Sequence, residues 1–389
     1  MKFVSRQQAA RLGRLLRTFP AVLVAGPRQC GKSTLARHHR PTWTHLDLER
    51  PSDLGVLAAD LEGFFDTHAR HVLIDEAQRL PQIFSVLRHV IDRSPAKGRF
   101  VLLGSASPSL VRSVSETLAG RVALMELTPF LASELTAARH AADRWFWGGF
   151  PPVHAERQVA ARGEWFDAYV STFLERDLPA LGIALSTRRL RMLWTMLTHI
   201  HGNLLNVSDL ARSLAVSSHT VASDLDVLEG AFMIRRLQPY FANVQKRLTK
   251  SPKLYVRDTG LLHFLAGLRR PSDLGTWSRR GASFEGLVIE ELTALASSRL
   301  VRPEFYFWRT QAGAEVDLLI VNGRHILPIE IKLGAAIDQY ATAGLRQCMK
   351  DLRLGRGWIV TTGPARRRLS KEIEIVPWKH IVEGRAELF

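Results

Sequence analysis

An apolar run that leads directly into a glycine-rich loop constrains this chain more than any other feature. Residues 22–25 are apolar, and residues 26–33 read Gly-Pro-Arg-Gln-Cys-Gly-Lys-Ser, which fits the pattern G-x-x-x-x-G-K-[ST] between a predicted strand and a predicted helix. The glycines let the backbone bend so that successive N–H groups point toward phosphate oxygens, and the new helix adds the positive end of its dipole. The sequence therefore predicts a nucleotide-binding loop, in which Lys32 contacts the terminal phosphates and the Ser33 hydroxyl binds Mg²⁺.

The predicted contacts with the nucleotide come from the whole loop and from the start of the helix. They are Gly26, Pro27, Arg28, Gln29, Cys30, Gly31, Lys32, Ser33 and Thr34. Because Cys30 precedes a helix N-terminus in a phosphate-binding loop, we expect its thiol pKa to be lowered, so that bound ATP would protect a reactive thiolate from alkylation.

Two carboxylates follow a second apolar run, roughly 40 residues after the loop. Residues 72–76 read Val-Leu-Ile-Asp-Glu and end in Asp75 and Glu76. At this position Asp75 is expected to polarise the Mg²⁺ shell, and Glu76 is placed to orient or deprotonate the attacking water. The sequence thus predicts ATP and Mg²⁺ as cofactors, with Lys32 and Glu76 as catalytic residues of an ATPase.

Several other residues are candidates for phosphate contacts, each with a plainer alternative. Ser105 ends a predicted strand over residues 99–105 and is a candidate sensor of the γ-phosphate, as is Ser107, although a turn or helix cap is the alternative. Arg121, like Arg112, is a candidate to face a phosphate bound by this chain or by a neighbouring copy, whereas a surface position is the alternative.

The composition indicates a globular protein of more than one domain that attracts polyanions. The chain has 389 residues, of which 46% are hydrophobic, and its formal net charge is +16. Such a charge speeds encounter with nucleic acid, so DNA is a predicted partner. The two cysteines, Cys30 and Cys348, cannot form a disulfide framework, which favours a reducing cytoplasm. Because no apolar run approaches the roughly 18 residues that span a bilayer, no membrane partner is predicted.

The middle of the chain begins with a break in regular structure. Residues 145–152 combine aromatic side chains with glycines and prolines. This composition predicts a hinge packed on a core, and stacking of the rings on nucleic-acid bases is the alternative.

Residues 206–238 have the outline of a helix-turn-helix in which Asn206 caps the first helix. The predicted outward face of the second helix carries Asp224 and Asp226, whose charges oppose phosphates. Nucleic-acid contacts are therefore predicted in the basic segment 246–253 rather than in this helix.

Three charged residues near the C-terminus fall on a predicted β-hairpin with an Asn-Gly turn. Asp317 lies on the first strand, and Glu330 and Lys332 share one face of the second. This pattern is typical of a metal-dependent nuclease, in which two carboxylates hold Mg²⁺, the metal acidifies a water and the lysine positions it. Glu285, on a predicted helix, is expected to complete the metal shell. The alternative is an ordinary hairpin whose charges face water.

The whole chain resembles a large prokaryotic family of AAA-like P-loop ATPases, of archaeal and bacterial type, with a C-terminal domain of unknown function. The matching stretches are residues 19–33, 73–78, 102–107, 148–151, 173–177, 253–261, 315–317 and 330–332. The C-terminal part is similar to the PD-(D/E)xK nuclease superfamily, whose acidic and lysine positions fall on Asp317, Glu330 and Lys332. Cys30 departs from the family, in which valine is usual at that position.

These observations predict an α/β fold made of a P-loop parallel sheet, a helical and winged-helix module and a restriction-endonuclease-like α/β domain. The predicted boundaries are residues 1–135 for the ATPase domain, 136–190 for a helical linker, 191–255 for the winged-helix-like module and 256–389 for the nuclease-like domain. The predicted function is Mg²⁺-dependent ATP hydrolysis by a cytoplasmic protein that acts on DNA. The alternative is a regulatory ATPase that binds a protein partner and whose nuclease-like fold is inactive. A homo-oligomer is compatible with both.

Overall fold

A computed structural model describes residues 3–105, 114, 116–135, 138–180, 186–240, 251–337 and 339–387 of the chain. The chain divides into two compact units. One comprises Met1–Phe130 and Asp226–Met233, and the other comprises Leu131–Leu225 and Ile234–Phe389. Each unit contains its own β-sheet.

Parallel strands joined by helices form the first unit. The strands are β1 (Ala21–Gly26), β2 (Thr44–Asp47), β3 (Val72–Asp75), β4 (Phe100–Ser105) and β5 (Val122–Glu126). The helices are α1 (Ala9–Thr18), α2 (Lys32–His39), α3 (Pro51–Ala59), α4 (Leu61–Thr67) and α5 (Ile83–Arg93), with a 3₁₀ turn at Ala77–Arg79. The sheet has the order β2-β3-β4-β1-β5, and all its strands are parallel. Their carboxyl ends therefore lie at one edge, where ligands of open α/β sheets bind.

Continuous apolar runs explain why this sheet is buried on both faces. Every residue of β1 is buried. Successive side chains point to opposite faces, so Leu23 packs in the core that contains Leu87 of α5, and Val22 packs in the core that contains Leu35 of α2. The sheet confirms the predicted α/β class with a parallel P-loop-type sheet.

The crossover between β2 and β3 consists of two helices. Parallel strands require a crossover connection, which predicts helical structure over residues 53–69, and the structure has α3 and α4 there. Asp60 lies between them with φ −155°, and its carboxylate accepts a hydrogen bond from the Gly63 N–H at 2.8 Å. A side chain that caps a helix favours a new start over continuation of the previous helix.

The second unit contains a mixed sheet and most of the helices. Its strands are β6 (Ile234–Pro239), β7 (Lys253–Val256), β8 (Glu304–Arg309), β9 (Glu315–Asn322), β10 (His325–Lys332), β11 (Gly357–Thr361), β12 (Arg367–Arg368) and β13 (Ile373–Pro377). The eight-stranded sheet has the order β12-β13-β11-β10-β9-β8-β6-β7. The predicted hairpin is present, since β9 and β10 pair antiparallel.

The described residues after residue 135 form twelve α-helices. They are α6 (Ala138–Trp147), α7 (Pro151–Ala155), α8 (Val159–Thr172), α9 (Leu178–Ala180), α10 (Thr187–Ile200), α11 (Val207–Leu214), α12 (Ser218–Gly230), α13 (Thr259–Leu265), α14 (Asp273–Thr276), α15 (Arg280–Arg299), α16 (Gln339–Leu352) and α17 (Trp378–Val382). A 3₁₀ turn covers Ala132–Glu134, and a π-helical turn covers Phe173–Asp177.

Both faces of the second sheet are covered, which keeps its central strands away from water. Leu318 and Ile320 of β9 pack in the core that contains Leu287 of α15. The intervening Leu319 packs on the other face, in the core that contains Leu345 of α16. This alternation sets which residues of β9 and β10 share a face.

The aromatic stretch in the middle of the chain packs into the core. Phe146, Trp147 and Phe150 are buried, so these rings cannot stack on bases and that alternative is excluded for them. Gly149 donates its N–H to the Asp258 carboxylate at 2.7 Å, which fixes the turn between α6 and α7.

The helix-turn-helix outline is partly correct. Asn206 caps α11 by accepting hydrogen bonds from the N–H groups of Ser208 and Asp209 at 3.1 and 3.3 Å. However, Asp224 does not face outward as predicted. It is fully buried, and Arg189 of α10 donates to it, with Nε 2.9 Å from Oδ2.

Within the described part of the chain, no helix combines the length and the apolar composition needed to cross a membrane.

Candidate nucleotide site and a second acidic cluster

The glycine-rich loop closes around the side chain of its own lysine. Gly31 has φ 99° and stands immediately before α2, which begins at Lys32. The Lys32 ammonium donates to the carbonyl oxygens of Gly26 and Pro27 at 3.0 and 2.9 Å. The loop therefore surrounds a buried cation at the start of a helix, a combination that favours phosphate.

Contacts with the segment after β5 hold the loop in place. A Cβ atom on Gly26 would lie 2.2 Å from the carbonyl oxygen of Leu127, so only glycine fits there. Arg6 donates to the carbonyl oxygen of Cys30 at 2.9 Å and also to that of Thr128. The N-terminal segment and the chain after β5 are thus both fastened to the loop.

The carboxylates predicted to act with the loop lie at the same edge of the sheet. Asp75 ends β3, is 5% exposed and lies beside the Ser33 hydroxyl. Burial raises the pKa of the Asp75 carboxyl, and the Ser33 hydroxyl partly offsets this shift. Glu76 follows with φ 52°, and Gln78 donates to its carboxylate. A hydroxyl and a carboxylate in contact are the oxygen ligands that Mg²⁺ prefers, so Ser33 and Asp75 fit that ion.

In the second unit, three carboxylates converge on one ammonium group. Lys253, at the start of β7, is 3% exposed. Its Nζ lies 2.9 Å from Oε1 of Glu285 on α15 and 3.2 Å from Oδ1 of Asp317 on β9. It also forms an ion pair with Glu315 of β9. We call Lys253, Glu285, Glu315 and Asp317 the ammonium cluster.

Neighbouring groups fix the carboxylates of the ammonium cluster. Asp317 Oδ2 accepts from the N–H of Ile331 at 2.9 Å, which ties β9 to β10. Tyr255 donates its hydroxyl hydrogen to Glu285, and Arg309 Nη1 lies 2.6 Å from Glu315. Each of these carboxylates is therefore held by at least one contact besides Lys253.

Glu330 and Lys332 lie beside this cluster, as the predicted hairpin required. Lys332 Nζ lies 2.7 Å from Glu330 Oε1, whereas Glu330 Oε2 is buried and has no hydrogen-bond partner. Burial and the charge of Asp317 raise the pKa of Glu330, and the same two causes raise the pKa of Glu285. Across the residues with described structure, no three His, Cys, Asp or Glu side chains have the arrangement of a metal site.

Comparison with known proteins shows which domains and relatives this chain matches. Residues 18–136 match the AAA domain, residues 138–272 match a domain of unknown function, DUF8612, and residues 280–381 match another, DUF4143. An uncharacterized protein of Mycobacterium tuberculosis is 42% identical over 382 residues, which is 97% of this chain and 84% of that protein. The chain belongs to the family of this mycobacterial protein. Its residues 18–136 carry the AAA domain of that family.

Two other proteins are similar over different extents. A UPF0102 protein of Methylorubrum extorquens is 35% identical over 97 residues, which is 24% of this chain and 72% of that protein. A Walker-type ATPase of Pyrococcus abyssi with a solved structure is 14% identical, over 68% of this chain and 96% of that chain, with a TM-score of 0.46.

The structure brings the four main predicted residues of the AAA domain to one edge of the sheet: Lys32, Ser33, Asp75 and Glu76. Ser105 also ends its strand there, since it is in register with Gly26, although its side chain is outside the description. Ser107 and Arg112 lie outside the described residues.

Arg121 does not lie at this edge. It precedes β5, and β5 runs parallel to β1, so Arg121 is at the end of the sheet opposite to the loop. Its guanidinium binds both carboxylate oxygens of Asp92 on α5, at 2.6 and 3.0 Å. The predicted contact between Arg121 and a nucleotide bound by its own chain is therefore corrected.

The expectation of a reactive thiolate at Cys30 is also wrong. The side chain is fully buried, and its Sγ lies 3.4 Å from the carbonyl oxygen of Leu127. Burial raises the pKa of the Cys30 thiol, an effect larger than the opposing charge of Lys32. The loop contributes backbone at this position, and the sulfur packs inward.

Sequence reasoning missed two members of the ammonium cluster. Lys253 was assigned to the basic segment 246–253, but it is buried among carboxylates and cannot contact nucleic acid. The other members of that segment up to residue 250 lie outside the described residues, including Lys246, Arg247 and Lys250. Glu315 was passed over although it is two residues from Asp317 on the same strand, a spacing that puts both on one face.

Proposed function

We propose that the first unit hydrolyses ATP with Mg²⁺ bound by Ser33 and Asp75. The observation that carries the proposal is that the buried Lys32 ammonium, held by the loop carbonyls, and the buried Asp75 carboxylate at the end of β3 lie at the same edge of the sheet as Ser33. Lys32 stabilises charge on the terminal phosphates, and Mg²⁺, which Ser33 and Asp75 would hold, would supply further positive charge there. Glu76 then orients or deprotonates the water that attacks the γ-phosphate.

Two substitutions separate these roles. Lys32→Ala removes the phosphate-binding cation, so we expect it to weaken ATP binding and abolish hydrolysis. Glu76→Gln keeps the shape but removes the base, so ATP should still bind while turnover falls by about 10²-fold or more. Nucleotide binding by fluorescence and phosphate release in steady state measure the two effects.

The matched control is Glu62→Gln, the same chemical change at an exposed position of α4. This control should hydrolyse ATP at the wild-type rate. Wild-type turnover by Glu76→Gln would contradict the role given to Glu76, without bearing on Lys32.

As a second candidate function, we propose that the second unit binds DNA. The observation that favours this is the strand β12, which consists of the exposed residues Arg367 and Arg368 at the edge of the second sheet. Arg366 precedes them and pairs with Glu374 of β13, with Nε 2.7 Å from Oε1. Together with a net charge of +16, exposed guanidinium groups favour contacts with phosphates.

Charge reversal tests this contact. The double variant Arg367→Glu, Arg368→Glu should weaken binding to a fluorescent DNA duplex and flatten the dependence of log K on log salt by about 2, because roughly one counterion is released per phosphate contact. The control reverses two exposed arginines elsewhere in the unit, Arg188→Glu and Arg212→Glu. Equal salt slopes for the two double variants would contradict a DNA site at β12.

The sequence also predicted metal-dependent DNA cleavage, with Asp317, Glu330 and Lys332 as catalytic residues. We propose the alternative interpretation, in which the nuclease-like site does not cleave DNA. The position of Lys253 supports this alternative, because its ammonium already neutralises two of the carboxylates that the metal would need. A protein that binds DNA or a partner and hydrolyses ATP does not require cleavage.

A further inference from the structure

We propose that Lys253 is the permanent cation of the ammonium cluster, in the position that a divalent metal ion would otherwise occupy. The second unit of the wild-type protein then binds no divalent ion there, and removal of this one side chain creates a site for Mn²⁺ or Mg²⁺. The inference concerns the second unit alone and does not rest on ATP hydrolysis by the first.

The donors of Lys253 match the acceptors around it. A lysine ammonium has three N–H donors and no acceptor. The Lys253 ammonium forms ion pairs with three carboxylates, those of Glu285, Glu315 and Asp317. The lysine is 3% exposed. The ammonium is thus fully used by anionic oxygens, away from water.

The groups that surround the ammonium are of the type that binds divalent metal ions. Carboxylate oxygens supplied by a helix and a strand are the ligands that Mg²⁺ and Mn²⁺ take. The N–O distances of 2.9 and 3.2 Å to Glu285 and Asp317 suit an ammonium group. They are longer than the roughly 2.1 Å of a Mg²⁺–oxygen bond, so the carboxylates would have to close in around a metal.

Glu330 is an independent sign that Lys253 leaves part of its surroundings without a partner. Glu330 is 6% exposed and interacts electrostatically with Asp317 and Glu285. It pairs with Lys332 through Oε1, but its buried Oε2 has no hydrogen-bond partner. A buried carboxylate oxygen normally has a partner. A divalent ion next to Asp317 would bring more positive charge to this carboxyl group than Lys253 does.

The ammonium cluster cannot hold the Lys253 ammonium and a divalent metal ion at the same time, because of their charge and the space they need. A metal bound by Glu285 and Asp317 would lie where Lys253 Nζ now lies, and two cations at that separation repel strongly in a buried site. The presence of Lys253 therefore decides whether the cluster takes a metal.

Lys253→Met tests the proposal, because methionine keeps much of the length and removes the charge. Full-length protein without nucleotide is titrated with Mn²⁺, and free Mn²⁺ is counted by its electron paramagnetic resonance signal. We expect Lys253→Met to bind one Mn²⁺ ion more per chain than the wild type. Without metal its Tm should fall by about 10 °C, because buried carboxylates lose their partner, and Mn²⁺ should restore most of this loss.

Two further variants show that the additional ion binds at the proposed place. In Lys253→Met combined with Asp317→Asn, the additional ion should be lost. Lys332→Met removes the same charge from a side chain that contacts Glu330 and is 41% exposed, and it should gain no ion. ATP hydrolysis measured on the same preparations should be unchanged, so failure here and failure of the ATPase proposal are distinguishable.

The proposal is overturned if folded Lys253→Met binds no additional Mn²⁺. It is also overturned if Asp317→Asn in the wild-type background lowers Mn²⁺ binding, or if the wild type cuts plasmid DNA with Mn²⁺ in a manner that Asp317→Asn removes. If Lys253→Met does not fold even with Mn²⁺, the proposal is tested by comparing Mn²⁺ binding and DNA cleavage between the wild type and Asp317→Asn. Equal Mn²⁺ binding by the wild type and Asp317→Asn, with plasmid DNA left uncut, supports the proposal.

Discussion

Gly26 illustrates how a single residue position fixes the nucleotide loop. The end of β1 approaches the chain after β5 so closely that a Cβ atom would lie 2.2 Å from the Leu127 carbonyl oxygen. A backbone oxygen cannot move aside as the end of a flexible side chain can. The residue is therefore required by packing as well as by the bend that follows it.

Gly26→Ala should lower the free energy of unfolding by about 1–3 kcal/mol, the typical cost of overpacking, and should weaken ATP binding. The matched substitution is Gly55→Ala in the interior of α3, where a Cβ would meet nothing within 4 Å. It should raise stability by about 0.5–1 kcal/mol, because alanine loses less backbone entropy than glycine in a helix. Urea unfolding monitored by tryptophan fluorescence distinguishes the two, and equal effects would contradict the packing role of Gly26.

At this scale the sequence predicted residues whose role depends on near neighbours. Lys32, Ser33, Asp75 and Glu76 follow from motifs with fixed spacing. Lys253 could not be placed, because the carboxylates that bury it lie 32 and 64 residues farther along the chain. Distant ion pairs leave no local pattern, and a lysine in a basic segment has the composition of a surface residue.

Among the elements of the second unit, helix α15 is held by a buried glutamate that binds two arginines. Glu290 of α15 accepts hydrogen bonds from Arg235 of β6 and from Arg257, with Nη2 of Arg257 2.8 Å from Oε2. Burial alone would raise the pKa of Glu290, but the two guanidinium groups lower it to about 2. The ordinary value is 4.5, so the folded state favours the ionised form.

The lowered pKa sets the direction of a pH effect. Ionised Glu290 contributes about 3 kcal/mol of stability that is fully present above roughly pH 5 and is lost as the pH falls through about 2. Glu290→Gln should lower the free energy of unfolding by about this amount at pH 7. The difference in the free energy of unfolding between Glu290→Gln and the wild type should then shrink as the pH falls from 4.5 to 2.

Glu291→Gln is the control, one residue along the same helix. Burial raises the pKa of Glu291, so the wild type gains stability relative to this variant as the pH falls. The two variants should therefore show opposite trends in urea unfolding at different pH values. Parallel trends would contradict the assignment of the charges around Glu290.

Elements with strong periodicity were predicted best. The strands of the first sheet and the β9–β10 hairpin were recognised from apolar runs and an Asn-Gly turn. The sequence did not place the boundary between α3 and α4 at Asp60, because a capping aspartate looks like any exposed residue of a helix. The burial of Asp224 was also missed, since its partner Arg189 lies 35 residues away and on another helix.

Across the whole molecule, charge is distributed unevenly between buried and exposed positions. Among the described residues, more acidic than basic side chains are buried, as in the ammonium cluster, so buried charges do not account for the surplus of +16. The surplus therefore belongs to the remaining, more exposed side chains, among them Arg367 and Arg368. Two carboxylate sites, one in each unit, depend on separate sets of residues. This separation allows ATP hydrolysis and the chemistry of the second unit to be altered independently.

The wide spacing of Lys253 and its carboxylates also has a consequence for biosynthesis. The first sheet is complete once Glu126 has left the ribosome, whereas the second sheet needs strands that end as late as Pro377. Lys253 emerges 64 residues before Asp317, so its ammonium cannot pair with this carboxylate until β9 has been made. Pairings between distant segments form slowly and late. A newly made chain therefore passes through an interval in which the ATPase sheet can already be folded while Lys253 is still a solvent-exposed, basic side chain.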